Sequence, residues 1–359
     1  MNEHEFITRK TDHIRHSLSP ESEAVEARAF DRWTLVHDSL PDLDLKEVRF
    51  ECTFLGSLQR TPFFIAGMTA GHPDATLINE RLAAAAAERG WGLGVGSQRR
   101  ELDRVFTDVP LHEIRRRHPR LALISNIGVS QLVQIAQSKD WDRLRALVEN
   151  TGASALAIHL NPLQEAIQIE GTPNFKGALQ AVSECVERLA CPVILKETGS
   201  GMSQAFLNRI ADLPIHAIDV SGLGGTHWGR IEGMRAPEGA LAAQYGRTFA
   251  DWGIPTPDSI LNAVSALKTR VKAGRPTAVW ASGGVRSGLD AAKCLALGAS
   301  AVGFARPALE AALKGEAAIH RWMEGIEGEL RIAQFCTHSP TLAELNRNKI
   351  ENSKEAVNP

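Results

Sequence analysis

Residues 278–306 read AVWASGGVRSGLDAAKCLALGASAVGFAR. A short apolar run from Ala278 ends in the turn Ser282-Gly283-Gly284, helix formers follow from Ser287, and a second apolar run starts at Ala301. With 23 residues between the two starts, this is one strand, one helix and the next strand, the spacing that joins parallel neighbours through a crossover. The same unit recurs back toward the N-terminus, with runs starting at Phe63 (FFIAGMT), Gly92 (GLGVGSQ), Ala122 (ALISNIG), Ala155 (ALAIHLN), Pro192 (PVILKE) and Ala217 (AIDVSG). The eight starts lie 29, 30, 33, 37, 25, 61 and 23 residues apart, so all intervals but one hold a single strand, a helix and two loops. A doubly wound open sheet alternates in the same way, but eight successive units without a break in composition predict an α/β fold closed as a (β/α)8 TIM barrel.

The helices follow from composition. Asn79 to Arg89 (NERLAAAAAER) is almost wholly strong helix formers, with Gly90 as its stop. Gln131 to Asn150 and Phe175 to Leu189 mix apolar and charged residues and lead into the next strands. The 61-residue interval contains GLGGTHWGRIEGMRAPEGALAAQYGRTFADWGIPTP, too long and too glycine-rich for one crossover helix, and loops of this length commonly carry function. Residues 1–60 precede the repeat and are expected to form an N-terminal extension carrying a basic, substrate-clamping segment. Within it an extended pair, Val48 to Phe54 and Gly56 to Gln59, is expected to close the bottom of the barrel. Residues 61–359 are expected to hold the barrel and a C-terminal helical tail.

Composition narrows the partners. The 359 residues carry 40 Lys plus Arg against 42 Asp plus Glu, a net charge of −2, with a pI near 6.6. That excludes the basic excess of a general nucleic-acid binder, and one Tyr with twelve Phe and seven Trp gives no interleaving of rings and cations for stacking bases. No run of 18 apolar residues marks a membrane span, and the charged opening MNEHEFITRKTDHIRHSLSP has no signal-peptide core. Five cysteines without a CxxC pair fit neither a disulfide framework nor a structural zinc site, which suits a reducing cytoplasm.

In a barrel of this class the chemistry sits where the strands end. Those ends read Met68-Thr69-Ala70-Gly71, Gly96-Ser97-Gln98-Arg99, Ser125-Asn126-Ile127-Gly128, His159-Leu160-Asn161, Lys196-Glu197, Ser221-Gly222, Ser282 to Arg286 and Ala305-Arg306, nearly all polar or glycine. The last two lead into helices, and the loops after strands seven and eight are where such barrels hold phosphate on backbone N–H groups and helix N-termini. This points to a phosphorylated cofactor or substrate. Lys196, after apolar PVIL, is placed to present a fixed cation or a nucleophile, unless Glu197 simply pairs with it. In HLNPLQE, Pro162 turns the chain and puts Gln164 and Glu165 over the mouth, where one carboxylate suits either magnesium or the N-terminus of a helix. Arg9, Lys10 and His13 form a basic patch outside the repeat, either a solvated charge cluster or, with Arg99, a clamp for a diphosphate.

Nine segments in order across nearly the whole chain, RKTDHI, GMTAGH, GVGSQR, SNIG, HLNPLQE, KETGSG, DVSGLGGTHW, SGGVRSG and GFARPAL, resemble the flavin-dependent type 2 isopentenyl-diphosphate isomerases. The resemblance implies a TIM barrel that binds FMN and Mg²⁺, is charged by NADPH and converts isopentenyl diphosphate to dimethylallyl diphosphate in isoprenoid biosynthesis. It implies diphosphate contacts at Arg9, Lys10 and the Ser97-Gln98-Arg99 segment. FMN contacts are implied at Met68, Thr69, Ala70, Ser97, Asn126, Lys196, Ser221, Thr226, Gly284, Val285, Arg286, Ala305 and Arg306. His159 and Gln164 become catalytic, substrate-facing residues, with Gln164 relaying or positioning a proton, and Glu165 becomes the magnesium ligand. The proton that enters the alkene would come from N5 of reduced FMN, and a cytoplasmic homo-oligomer, tetramer or octamer, is implied. The chain departs from the family in Ala70, where glycine is usual and a methyl would sit beside the flavin.

Two other readings compete. An FMN barrel oxidising a 2-hydroxy acid would need a histidine base and an arginine clamp, for which His227 and Arg230 are available, but it leaves the RK patch and HLNPLQE without a task. A non-catalytic flavin-binding protein would hold FMN without turnover.

Overall fold

The computed structural model describes residues 3–24, 29–68, 74–103, 111–272 and 276–353; the sites expected at Thr69 and Ala70 lie outside these residues. Eight parallel strands close on themselves: β1 (Phe63–Ile65), β2 (Gly92–Gly94), β3 (Leu123–Gly128), β4 (Ala155–Leu160), β5 (Val193–Glu197), β6 (Ala217–Asp219), β7 (Ala278–Ala281) and β8 (Ala301–Phe304). Closure is made by β8 pairing β1, with Val302 opposite Phe63 and Phe304 opposite Ile65. The chain is a (β/α)8 barrel.

The strands read as nearly continuous apolar runs because both faces are buried. Phe64, Ile124, Ala155, Ala157, Ile194, Ala217, Trp280 and Ala301 fill the barrel. Their neighbours Phe63, Ile65, Leu123, Leu156, Ile158, Val193, Leu195, Ile218, Val279 and Val302 pack outward on the helices, the two-residue alternation of a pleated strand. A hairpin of Cys52–Phe54 and Ser57–Gln59 plugs the N-terminal end. Its Phe54 ring stacks on Trp280 with centroids 4.5 Å apart. The ladder is shorter than the expected Val48 start.

Helix α1 (Glu3–Ser17) precedes the barrel, and Trp33–Leu35 pairs antiparallel with Ile350–Asn352, tying the two ends of the chain together. The helix after β1, Ala75–Arg89, ends at Gly90 in the left-handed conformation, as composition suggested. The stretch expected as one helix over Gln131–Asn150 is instead two, Val129–Ser138 and Trp141–Thr151, separated by Lys139 at φ 58°. Ile135 and Trp141 are both buried, and six residues apart they would lie on different faces of one continuous helix. The long interval after β6 holds α2 (Trp228–Arg235), α3 (Leu241–Thr248) and the crossover helix Thr256–Lys272. Among the described residues no helix is long and apolar enough to cross a membrane.

Candidate active site

A cavity of about 1060 Å³ opens at the C-terminal ends of the strands. Its floor is made by Gly67, Ser97, Asn126, His159, Lys196 and Ser221, and α1 overhangs it with Arg9, Lys10, His13 and Ser17.

His159 is held by Asn126. The Asn126 amide donates from Nδ2 to the Val95 carbonyl at 3.1 Å, which turns its Oδ1 toward His159 Nδ1, 2.9 Å away. The imidazole therefore carries its proton on Nδ1 and leaves Nε2 as an acceptor. Burial first, and then the charges of Lys196 and Lys10, push the His159 pKa down to about 3, so the ring is neutral at physiological pH. Gln98 braces the same strand end from behind: it accepts from the Asn126 N–H at 3.2 Å and donates to Thr151 Oγ1 at 3.0 Å. Its side chain is buried and does not line the cavity, so the expected diphosphate contact at Gln98 is corrected to a support. Ser97 and Arg99, on either side of it, do line the cavity.

Lys196 enters the cavity floor and donates to the Glu197 carbonyl at 2.6 Å. The Glu197 carboxylate does not pair with it; Oε2 accepts the N–H groups of Thr198, Gly199 and Ser200. Burial lowers the Lys196 pKa, opposed by Asp219 and then Glu197.

The helix end at 162–167 brings Gln164 and Glu165 to the mouth, with Pro162 in its first turn. Asn161 Nδ2 donates to both, at 3.1 Å each, and Glu165 also accepts the Thr172 N–H at 2.6 Å. Asn161 Oδ1 is buried without a hydrogen-bond partner. Gln164 Nε2 donates to Glu232 Oε1 at 2.8 Å. Glu232, on α2, is buried and also accepts from His13 Nε2 at 3.0 Å and from Arg235. Burial raises the Glu232 pKa, but His13, Arg235 and Gln164 outweigh it and hold the carboxyl at about 2. His13 itself is pushed down to about 4 by burial, against the pull of Glu232, so it meets Glu232 as a neutral donor. With its amide oriented to suit both partners, Gln168 links Glu232 to Arg9 at 3.1 Å each.

The loops after β6 and β7 pack backbone against backbone. Gly283 has φ 94°, and a Cβ there would fall 2.1 Å from the Gly222 carbonyl oxygen; at Gly284, φ 75°, it would fall 2.5 Å from Gly224. Only glycine satisfies both conditions, and the result is a side-chain-free wall facing the cavity. Val285, Arg286, Ala305 and Arg306 also line it. The two guanidinium groups meet on one carboxylate, Arg286 at 3.0 Å and Arg306 at 2.7 Å from Glu23.

The structure thus brings Arg9, Lys10, Met68, Ser97, Arg99, Asn126, His159, Gln164, Glu165, Lys196, Ser221, Thr226 and the Gly284–Arg286 and Ala305–Arg306 turns to one cavity. It keeps His227 and Arg230 out. His227 caps α2 through the Arg230 N–H and contacts the Trp252 carbonyl, while Arg230 donates to the carbonyls of Ala250, Glu21 and Glu23. Glu232 and Gln168 were not singled out in the sequence; Glu232 lies on a helix and Gln168 just past the end of one, with no local signal of what they reach.

Residues 104–352 match the FMN-dependent dehydrogenase family. Among curated proteins, isopentenyl-diphosphate delta-isomerases are similar over almost the whole chain. That of Bdellovibrio bacteriovorus is 44% identical over 350 residues, covering 96% of this chain and 98% of the other. That of Legionella pneumophila is 45% identical over 342 residues, covering 95% and 96%. That of Nostoc sp. is 37% identical over 339 residues, covering 94% and 93%. Among solved structures, flavocytochrome b2 with sulfite bound superposes with a TM-score of 0.67 at 17% identity, covering 100% of this chain and 88% of that one. A mandelate oxidase with an FMN adduct gives 0.61 at 21%, covering 93% and 92%. At these identities the two structures share the fold.

Proposed function

The chain belongs to the flavin-dependent isopentenyl-diphosphate delta-isomerases, and from that premise we propose that its cavity binds isopentenyl diphosphate over FMN and shifts the double bond through the Gln164–Glu232 pair. The observation that carries this is the convergence, above a floor with a neutral histidine and a half-buried lysine, of a basic helix and a fixed glutamine amide. A 2-hydroxy-acid oxidase would want a histidine base in the cavity beside an arginine clamp; His227 and Arg230 are spent on α2 and the N-terminal segment.

The site fits FMN: the Gly283–Gly284 wall leaves room for a phosphate against backbone N–H groups, and Lys196 stands in the floor as a fixed cation. Ser97, Asn126, Ser221 and Thr226 line the floor and wall between them. When bound and reduced, the flavin supplies the proton donor for the double-bond shift and a negative ring against the cationic transition state. The site also fits magnesium, a hard cation that takes oxygen ligands: Glu165 and Asn161 both line the cavity, and the Asn161 Oδ1 has no hydrogen-bond partner. Magnesium would neutralise the diphosphate there.

The chain's own residues do the rest. Arg9, Lys10, Ser97 and Arg99 gather the diphosphate, two of them from α1 above and two from the end of β2 below. His159 stays neutral and offers Nε2 as an acceptor toward the substrate. Gln164, its amide nitrogen fixed by Glu232 and its oxygen by Asn161, holds the departing proton's path in one orientation. α1 excludes water, which a carbocation-like transition state requires. NADPH as the flavin's reductant and a cytoplasmic homo-oligomer complete the reading on the strength of the family resemblance.

The test is the product. The FMN-loaded protein, reduced anaerobically with NADPH in the presence of Mg²⁺, should convert isopentenyl diphosphate to dimethylallyl diphosphate, followed by proton NMR. Turnover of a 2-hydroxy acid with no diphosphate product would move the assignment to the oxidase.

A further inference from the structure

Asp219 ends β6, a carboxylate in an apolar strand, and the mechanism above does not use it. Its side chain is buried. Oδ1 accepts from Ser282 Oγ at 2.7 Å and from the Ser221 N–H at 3.3 Å, while Oδ2 is buried without a partner. The strand register sets Asp219 opposite Lys196 on β5, and Lys196 opposite His159 on β4. Residues paired this way across a parallel sheet point to the same side, so the three form one layer across the barrel beneath the mouth. Lys196 and Asp219 share the lining of a small chamber of about 20 Å³ under the floor, with Asn126 and the rings of Phe64 and Trp280.

The charges facing Lys196 come from three directions. On β4, His159 is held neutral. On β5, Glu197 turns its carboxylate into the backbone of residues 198–200. On β6, Asp219 keeps one oxygen open; burial raises its pKa, opposed first by the charge of Lys196 and then by the hydrogen bonds from Ser282 and Ser221. An ammonium in so apolar a layer loses its proton unless a carboxylate offsets the lost hydration.

We propose that Asp219 is a positioning residue for the flavin chemistry: facing Lys196 from the neighbouring strand and across the same small chamber, its carboxylate keeps that ammonium charged where it faces the flavin ring. This rests on the placement of Lys196 beside the ring, and the test separates the two. A cation there stabilises the negatively charged reduced flavin and raises its potential; a bare carboxylate does the opposite. The sign of the change therefore decides the role.

The potential of bound FMN is measured by spectroelectrochemistry in the wild type, Asp219→Asn, Lys196→Met and the double variant. Asp219→Asn keeps the shape and both hydrogen bonds to Oδ1. The expected result is a shift to more negative potential in each single variant, with the double variant no lower than Lys196→Met. A shift to more positive potential in Asp219→Asn overturns the proposal, because Lys196 would then be charged without help. An unchanged potential in Lys196→Met overturns the placement of Lys196 itself. If Asp219→Asn does not fold, the wild-type potential is followed between pH 8 and 9.5, above the titration of Glu197 at about 7. Uptake of one proton per two electrons is expected; a second proton would show that Lys196 is neutral before reduction and overturn the proposal.

Discussion

Gln164 and Glu232 meet at 2.8 Å, amide nitrogen to carboxylate oxygen, across 68 positions of sequence. The same oxygen accepts from His13 at 3.0 Å, so one buried carboxylate joins the loop after β4 to the helix that overhangs the cavity. Its acceptor-only chemistry fixes the amide: nitrogen toward Glu232, oxygen toward Asn161 at 3.1 Å. Charge-assisted hydrogen bonds of this kind are strong, and removing one partner leaves the others unsatisfied in a dry site. Glu232 is a positioning residue, and Gln164 is the group it presents.

Acid should destabilise the fold through two histidines at the cavity, His159 and His13. Burial holds His159 at about 3 and His13 at about 4, whereas an unfolded histidine titrates near 6.5. As pH falls below about 6.5, the unfolded chain takes up protons that the folded chain refuses. Stability then drops by about 1.4 kcal/mol per pH unit for each histidine. Urea denaturation at pH 7 and pH 5 should show the loss, and His159→Gln should remove about half of this histidine contribution. An equal pH dependence in variant and wild type would show that His159 is not held neutral.

The glycine wall should be intolerant of a single methyl. Gly283→Ala places a Cβ 2.1 Å from the Gly222 carbonyl at a positive φ, and the loop must move. An FMN affinity lower by at least about tenfold is expected by fluorescence titration, since one displaced contact costs about 1.4 kcal/mol or more. Gly325 and Gly328, in the helix Glu316–Phe335 with open space around them, are the opposite case. Gly325→Ala should raise stability by about 0.5–1 kcal/mol and leave FMN binding unchanged.

Magnesium dependence should pass through Glu165. Chelation with EDTA is expected to stop turnover and added Mg²⁺ to restore it. Glu165→Gln should raise the Mg²⁺ concentration for half-maximal activity by about tenfold or more, because a carbonyl oxygen replaces a charged ligand. The same Mg²⁺ dependence in variant and wild type would remove Glu165 from the metal site.

The barrel was legible because its strands are buried on both faces: each expected start, from Phe63 to Ala301, lies within one residue of the observed strand. The break at Lys139 was not, since each half of that stretch is good helix and only the need to bury both Ile135 and Trp141 divides it. At the rim, taking every polar residue at a strand end as cavity-facing misplaced Gln98, whose side chain turns away between Ser97 and Arg99. Glu232 and Gln168 carried no signal, because what matters about them is a contact made across the fold. Asp219 did carry one, as a lone carboxylate in the apolar run AIDVSG.

The central claim is that Gln164, held in orientation by Glu232, handles the proton. It is tested most directly by kcat and KM for isopentenyl diphosphate in the reduced, Mg²⁺-loaded wild type, Gln164→Ala and Glu232→Gln, with bound flavin quantified in each. The expected result is a fall in kcat of about 10²-fold or more in both variants, the scale of lost acid–base assistance, with KM and FMN content little changed. A kcat equal to the wild type in a variant that holds its flavin would contradict the claim.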